Sequence, residues 1–286
     1  MSWFALQRGA VRLQGWDGGN GLPVIFQHGL GGDEAQVAEV FPDALGIRRL
    51  TLECRGQGRS EAGDPKAFSI ANFSDDVLAF ADSRGIGRFV VGGISMGAAI
   101  ALNIAVRHPD RVTALIIARP AWIADAVPAN MQPFAEVAAY LQRPDAASAL
   151  SEFEQSATAQ RLAREAPDNL VSMRKFFTVA DRPTMAALLA AIAADGPGIS
   201  EAEVRAIAMP ALVIGHGVDA VHPLTSAKKL AAMIGGAQLA EITPKASDRP
   251  RHVAEFRNRV NQEPDPRTVQ AMLADFYEPW RSRAAA

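Results

Sequence analysis

Through the first 120 residues, short apolar runs alternate with longer stretches whose apolar positions recur every three or four residues. Pro23-Val24-Ile25-Phe26-Gln27 is a compact run that stops at a glycine-rich turn, and it predicts a buried strand. Arg49-Leu50-Thr51-Leu52 predicts a second strand, running into Glu53-Cys54-Arg55-Gly56-Gln57-Gly58-Arg59-Ser60. Residues 34–45 between them predict a helix. Residues 69–84 make a stronger helical pattern, with Phe73, Val77 and Phe80 on one face. Residues 88–92 then predict a strand, residues 96–107 a helix of small residues stopped ahead of Pro109, and residues 112–117 another strand. Strands separated by helices imply βαβ units, hence an α/β fold with a mainly parallel central sheet and flanking helices.

After Ala121 the pattern changes. As far as Ala208 the chain is helical in texture, rich in alanine and broken by Pro128, Pro133, Pro144, Pro167, Pro183 and Pro197. Strand texture returns at residues 211–214 and 238–242. The expected organisation is a core domain made of residues 1–120 and 209–286, with residues 121–208 inserted as a helical cap. Trp122 and Phe134, two of the large apolar residues in that block, are candidates for the lining of a substrate pocket, since pockets are mostly apolar.

Charge and cysteine usage exclude several classes of function. The chain has 29 basic and 31 acidic side chains and a net charge of −2, so no electrostatic footprint for nucleic acid exists. A single cysteine, Cys54, rules out an internal disulfide and fits a reducing compartment. The first residues have no uninterrupted apolar core of the kind a signal peptide carries. No apolar run reaches the length a bilayer span requires. A cytoplasmic protein with a small-molecule substrate and neither nucleic-acid nor membrane partners is expected.

The chemistry concentrates at Gly93-Ile94-Ser95-Met96-Gly97, between a predicted strand and a predicted helix. A turn that tight presents the serine hydroxyl at the carboxyl edge of the sheet, above the positive end of a helix dipole. Ser95 is the expected nucleophile. Acyl transfer also needs donors aimed at the developing oxyanion. The N–H of Met96 supplies one, and the N–H of Leu30, in His28-Gly29-Leu30-Gly31-Gly32, the other. His28 reads as a structural hydrogen-bonding residue of that loop. Cys54 reads as a packed small residue, and Arg55 and Arg59 as ties between a surface turn and neighbouring carboxylates.

Four features in order, HGLGG, ECRGQGRS, GISMG and the Gly-x-Asp loop at Gly217, make the chain resemble members of the α/β-hydrolase fold superfamily. Glu53 stands where that family has aspartate in its D-x-R-G-x-G-x-S segment. The resemblance implies a triad in the order serine, acid, histidine, with Asp219 as the acid that orients the base. In most relatives the histidine follows the last strand in a Gly-His pair. Here that stretch reads Ile242-Thr243-Pro244-Lys245-Ala246-Ser247-Asp248, and His252 is the one histidine after the strand, so His252 is the expected base. His222-Pro223 reads as the end of the Asp219 loop, with Pro223 opening a helix. His216, Asp219 and His222 have a spacing that raises a metal site, but they lie on a strand end and a loop without a fourth ligand, so no metal is expected.

The expectation is a cofactor-independent serine hydrolase, carboxylesterase- or lactonase-like. It would act on a small, largely uncharged ester, lactone or related carbonyl compound through an acyl-enzyme. The alternatives within the enzyme class are carbon–carbon bond hydrolysis and perhydrolysis. From another class comes a non-catalytic ligand-binding protein that kept the fold and lost its base.

Overall fold

The computed structural model describes residues 2–41 and 46–242. An eight-stranded sheet runs through it in the order β1-β2-β4-β3-β5-β6-β7-β8. The strands are β1 (Ser2–Arg8), β2 (Val11–Gly19), β3 (Leu22–Gln27), β4 (Ile47–Leu52), β5 (Phe89–Ile94), β6 (Val112–Ala118), β7 (Ala211–His216) and β8 (Gln238–Ile242). β1 pairs antiparallel with β2 and β2 antiparallel with β4, while β4, β3, β5, β6, β7 and β8 are joined by parallel ladders.

The inner strands are buried on both faces, which is why they read as unbroken apolar runs. Period-two alternation still sorts their side chains. Val24, Phe26, Val90, Ile116, Leu212 and Ile214 join a core on one face. Ile25, Val91, Leu115, Ile117 and Val213 join a larger core on the other. The predicted strands over 23–27, 49–52, 88–92, 112–117, 211–214 and 238–242 all fall on strands of the sheet, within two residues at each end.

Ten α helices are described. Those of the core are α1 (Glu34–Val40), α2 (Ile70–Ser83), α3 (Met96–Arg107) and α10 (Leu224–Met233). Ser69 caps α2 by accepting from the N–H of Asn72 at 3.2 Å, and Ile70, Phe73, Val77 and Phe80 form its buried face. Residues 96–105 of α3 are all buried, because the helix is wedged between the sheet and α2. Its alanines and Gly97 make that close packing possible. The expected helix over 34–45 is shorter: α1 ends at Val40, and residues 42–45 lie outside the described part.

Between β6 and β7 the chain forms α4 (Gln132–Leu141), α5 (Ala146–Gln155), α6 (Ala157–Glu165), α7 (Pro167–Lys175), α8 (Arg182–Ala193) and α9 (Glu201–Arg205), with no strand among them. Pro133, Pro167 and Pro183 sit in the first turns of α4, α7 and α8, where a missing N–H costs nothing. No helix among the described residues is long and apolar enough to cross a membrane.

The β1–β2 hairpin is a feature the sequence pattern did not disclose. Its strands are only partly buried on β1, and Gly9 takes a positive φ of 62° at the turn. Partly buried ion pairs fasten it to the rest: Arg8 reaches Asp76 of α2, while Arg48 and Arg84 both hold Asp17 of β2.

Candidate active site

Ser95 occupies the single residue between β5 and α3, with φ 57° and ψ −113°. A left-handed backbone costs a non-glycine residue about 1–2 kcal/mol, so the surroundings must impose it. The two glycines make room for the turn. A methyl group at Gly93 would overlap the backbone of Gly97, and one at Gly97 would overlap the carbonyl of Gln27. Gly97→Ala should therefore lower stability by about 3 kcal/mol, the upper end of ordinary overpacking, read as a shift in urea midpoint. Gly87→Ala, where nothing lies within 4 Å, is the control and should change stability by less than about 0.5 kcal/mol. Equal effects at the two sites would refute this account of the elbow.

The His28–Gly32 loop, where an oxyanion donor is expected, follows β3 and lies against the elbow: a Cβ placed on Gly29 would sit 3.4 Å from Ser95 Cβ. Three of its N–H groups are already used. Gly29 donates to Gln36 Oε1 at 2.7 Å, Gly31 to Gln57 Oε1 at 2.7 Å, and Gly32 to the Gly29 carbonyl at 2.9 Å. The N–H groups of Leu30 and Met96 donate to no partner among the described residues. Two glutamines thus leave the Leu30 donor in the loop available, beside the first N–H of α3. His28 is fully buried; its Nδ1 donates to the Gly29 carbonyl at 2.8 Å and its Nε2 accepts from the Cys54 N–H at 3.0 Å. Burial pushes its pKa down, keeping the ring neutral and structural.

Glu53, in the family's aspartate position, is buried and accepts from the N–H groups of Arg59 and Glu34. Arg55 grips Asp76 through Nε and Nη2, at 2.6 and 3.0 Å. Cys54 is buried, and burial pushes its thiol pKa up, away from nucleophilic range.

The loop after β7 carries both an acid and a ring to Ser95. His222 Nε2 lies 2.8 Å from Ser95 Oγ, and His222 Nδ1 lies 2.9 Å from Asp219 Oδ2. The loop builds this pair by itself. Asp219 Oδ1 accepts from the N–H groups of Val221 at 3.1 Å and His222 at 2.9 Å, which curls the chain so that the side chain three residues on returns to Oδ2. Asn169 of α7 closes the loop from outside, donating to Asp219 Oδ1 at 2.9 Å and accepting from the Ala220 N–H at 2.8 Å.

Arg119, directly after β6, completes the cluster. Its Nε and Nη2 donate to Asp219 Oδ2 at 2.8 and 2.6 Å. His216 Nε2 is 3.1 Å from the same oxygen. Burial opposes the charge on Asp219, but the Arg119 guanidinium, His222 and the hydrogen bonds outweigh it and hold the carboxyl well below its usual range. Burial also lowers the His222 pKa, against the pull of Asp219. At neutral pH the ring is uncharged, with Nδ1–H donated to Asp219 and the Nε2 lone pair facing the Ser95 hydroxyl.

The ring seated between Ser95 and Asp219 is therefore His222, not the expected His252, which lies outside the described residues. The reading of His222 as a plain loop end is corrected by the turn that Asp219 imposes. A signal was present: His222 also follows the acid in the chain, and Pro223 after it stops the turn. His216 and His222 each contact Asp219 Oδ2, the oxygen that also carries the Arg119 guanidinium. Trp122 is 1% exposed and its indole N–H donates to the Asp195 carbonyl at 3.0 Å. Phe134 meets Phe176 edge-on at 5.8 Å, and the Phe176 ring abuts Gly31 of the oxyanion loop. Phe134 thus reaches the site through one intervening ring, and Trp122 braces the segment's base.

A family model described as the alpha/beta hydrolase fold matches residues 23–232, and the chain belongs to that family. It is 29% identical over 225 residues, 76% of its length, to the dihydrolipoyllysine-residue acetyltransferase component of an acetoin cleaving system from Pseudomonas putida. It is 26% identical to the 2-hydroxymuconate semialdehyde hydrolase of Pseudomonas putida, over 78% of this chain and 79% of that one. Among solved structures, the enol-lactonase from Burkholderia xenovorans LB400 matches with a TM-score of 0.67 and 25% identity, covering 90% of this chain and 98% of the other. The chain spans 36% to 58% of the length of several curated relatives it matches.

Proposed function

We propose that the chain is a serine hydrolase acting on small, largely uncharged esters or lactones through Ser95, His222 and Asp219. The observation that carries the reading is the continuous link from Ser95 Oγ through the His222 ring to Asp219, at 2.8 and 2.9 Å. Ser95 Oγ attacks the substrate carbonyl carbon while its proton passes to His222 Nε2. Asp219 holds the tautomer and stabilises the imidazolium that forms. The Leu30 and Met96 N–H groups receive the oxyanion. Collapse of the tetrahedral species expels the alcohol oxygen, which takes the proton from Nε2, and leaves Ser95 acylated. Water, deprotonated by the same ring, then releases the acid.

The helical segment over 121–208 acts in this reading as a cap. What supports this is Phe176 against Gly31 of the loop after β3, backed edge-on by Phe134, and Asn169 on the Asp219 loop. Neither the apolar rings nor the neutral base calls for a charged substrate, and the enol-lactonase likeness points to the same class of carbonyl. The ligand-binding alternative drew its support from the displaced position of His252; the His222 ring beside Ser95 Oγ favours the enzyme reading.

The test is labelling with a fluorophosphonate probe, alongside turnover of p-nitrophenyl acetate and a γ-lactone. The parent should label and turn over at least one substrate, and Ser95→Ala should do neither above background. Labelling that persists in Ser95→Ala, or a folded parent that never labels, would end the serine-hydrolase reading. A 2-hydroxymuconate-type substrate belongs in the same panel, because preference for it over esters would replace the ester reading with carbon–carbon bond hydrolysis.

A further inference from the structure

Arg119 has a backbone as unusual as that of Ser95. Its φ is 47°, left-handed, at the end of the strand next to the one that presents the nucleophile. The Arg119 N–H donates to the Ile214 carbonyl at 2.7 Å and the Ser95 N–H to the Ala118 carbonyl at 3.0 Å, so two strained residues stand side by side on β5 and β6. Such backbones persist where the surroundings over-determine them, and they gather at functional sites. The strain at Arg119 aims a guanidinium at one oxygen, Asp219 Oδ2, through both Nε and Nη2. The same Nη2 is 3.2 Å from His222 Nδ1.

A cation on that oxygen acts on the base in two ways. It neutralises part of the negative charge that would favour an imidazolium, and it adds direct repulsion to a protonated ring. Among the described residues, few charged and titratable groups face His222. Asp219 comes from its own loop, His216 from the end of β7, Arg119 from the end of β6 and Ser95 from the elbow; α7 contributes the neutral Asn169. Arg119 is the lone permanent cation among them.

We propose that Arg119 is a positioning residue for His222: by sharing Asp219 Oδ2 with the imidazole, its guanidinium holds the ring in the neutral, proton-accepting form as the medium turns acidic. This rests on the reading of His222 as the base of a serine hydrolase. In consequence the acidic limb of the rate profile lies at lower pH than the same triad would give without the cation. The side chain is 28% exposed, so a small cation from solution can reach its place.

The experiment compares the parent with Arg119→Met and Arg119→Lys by kcat/KM against pH and by NMR titration of the His222 imidazole, which needs no turnover. In Arg119→Met the acidic limb and the NMR midpoint should both rise by about one pH unit, so that at pH below both midpoints the loss exceeds the loss near pH 8 about tenfold. Arg119→Lys, which keeps the charge on a single contact, should shift both by roughly half as much. Tens of millimolar guanidinium should return the Met variant towards the parent profile. An unmoved limb and midpoint in both variants would overturn the proposal, as would a loss that is uniform in pH and beyond rescue by guanidinium. Turnover surviving in Ser95→Ala would sink the hydrolase reading, while the His222 midpoint would still judge Arg119.

Discussion

His222→Ala should lower kcat/KM on p-nitrophenyl acetate by about 10⁴-fold, while His252→Ala leaves it within roughly threefold. The alanine variant keeps Ser95, the Leu30 and Met96 N–H groups and Asp219, but among the described residues no other side chain is bonded to Ser95 Oγ to take its proton. Fluorophosphonate labelling should slow in the same proportion, since it draws on the same proton transfer. The fold should survive the change. Asp219 Oδ2 keeps Arg119, and Oδ1 keeps Asn169 and the two loop N–H groups, so no buried charge is orphaned. A urea midpoint near that of the parent would separate lost chemistry from lost structure. If His252→Ala proves equally damaging, or His222→Ala keeps more than about a tenth of the activity, the base has been misassigned.

Asp219→Asn should have the second largest effect, cutting kcat by about 10³–10⁴-fold with little change in shape. The amide presents an NH₂ group or a neutral oxygen where His222 Nδ1 and Arg119 both need an anion. The catalytic tautomer is no longer favoured, and the forming imidazolium loses its counter-charge. Stability should fall too, by about 2 kcal/mol at neutral pH, a figure discounted because the Arg119 side chain is partly exposed. That loss carries a pH signature. The Asp219 carboxyl lies below its unfolded value, so its contribution is complete above about pH 4 and drains away as pH falls towards the folded value. The gap in Tm between parent and Asp219→Asn should therefore narrow on going from neutral solution to about pH 3. A gap of constant width would show that the charge on Asp219 does not support the fold.

Much of the scaffold was legible because burial on both faces forces inner strands into short apolar runs, and βαβ order follows from their spacing. The helix over 69–84 shows in the periodicity of Phe73, Val77 and Phe80, and the structure ends it within one residue of that span. β1 and β2 escaped because a half-exposed hairpin at a sheet edge mixes polar and apolar positions, and its ties through Asp17 and Asp76 are long-range. At the site, Ser95 was readable because overlap around Gly93 and Gly97 permits no other residue there. Leu30 could be named from its loop, but the reason its donor is available lies in Gln36 and Gln57, which only the fold brings near. His222 went unread because family order points past the last strand, and the turn that folds it back depends on hydrogen bonds made by the Asp219 side chain. Arg119 had no sequence signature at all: its role arises from two neighbouring strand ends.

Because acid and ring lie three residues apart on one loop, the entropy of bringing them together is that of closing a very short segment. Their pairing depends on β7, an inner strand flanked by β6 and β8, and not on β8, the last of the described strands in the sheet. Edge strands open most readily in the native ensemble. Where a base is hung beyond such a strand, each fraying event disarms the nucleophile. Here the contacts of His222 with Ser95 and Asp219 do not involve β8, so amide exchange in β8 and inactivation should proceed on separate clocks.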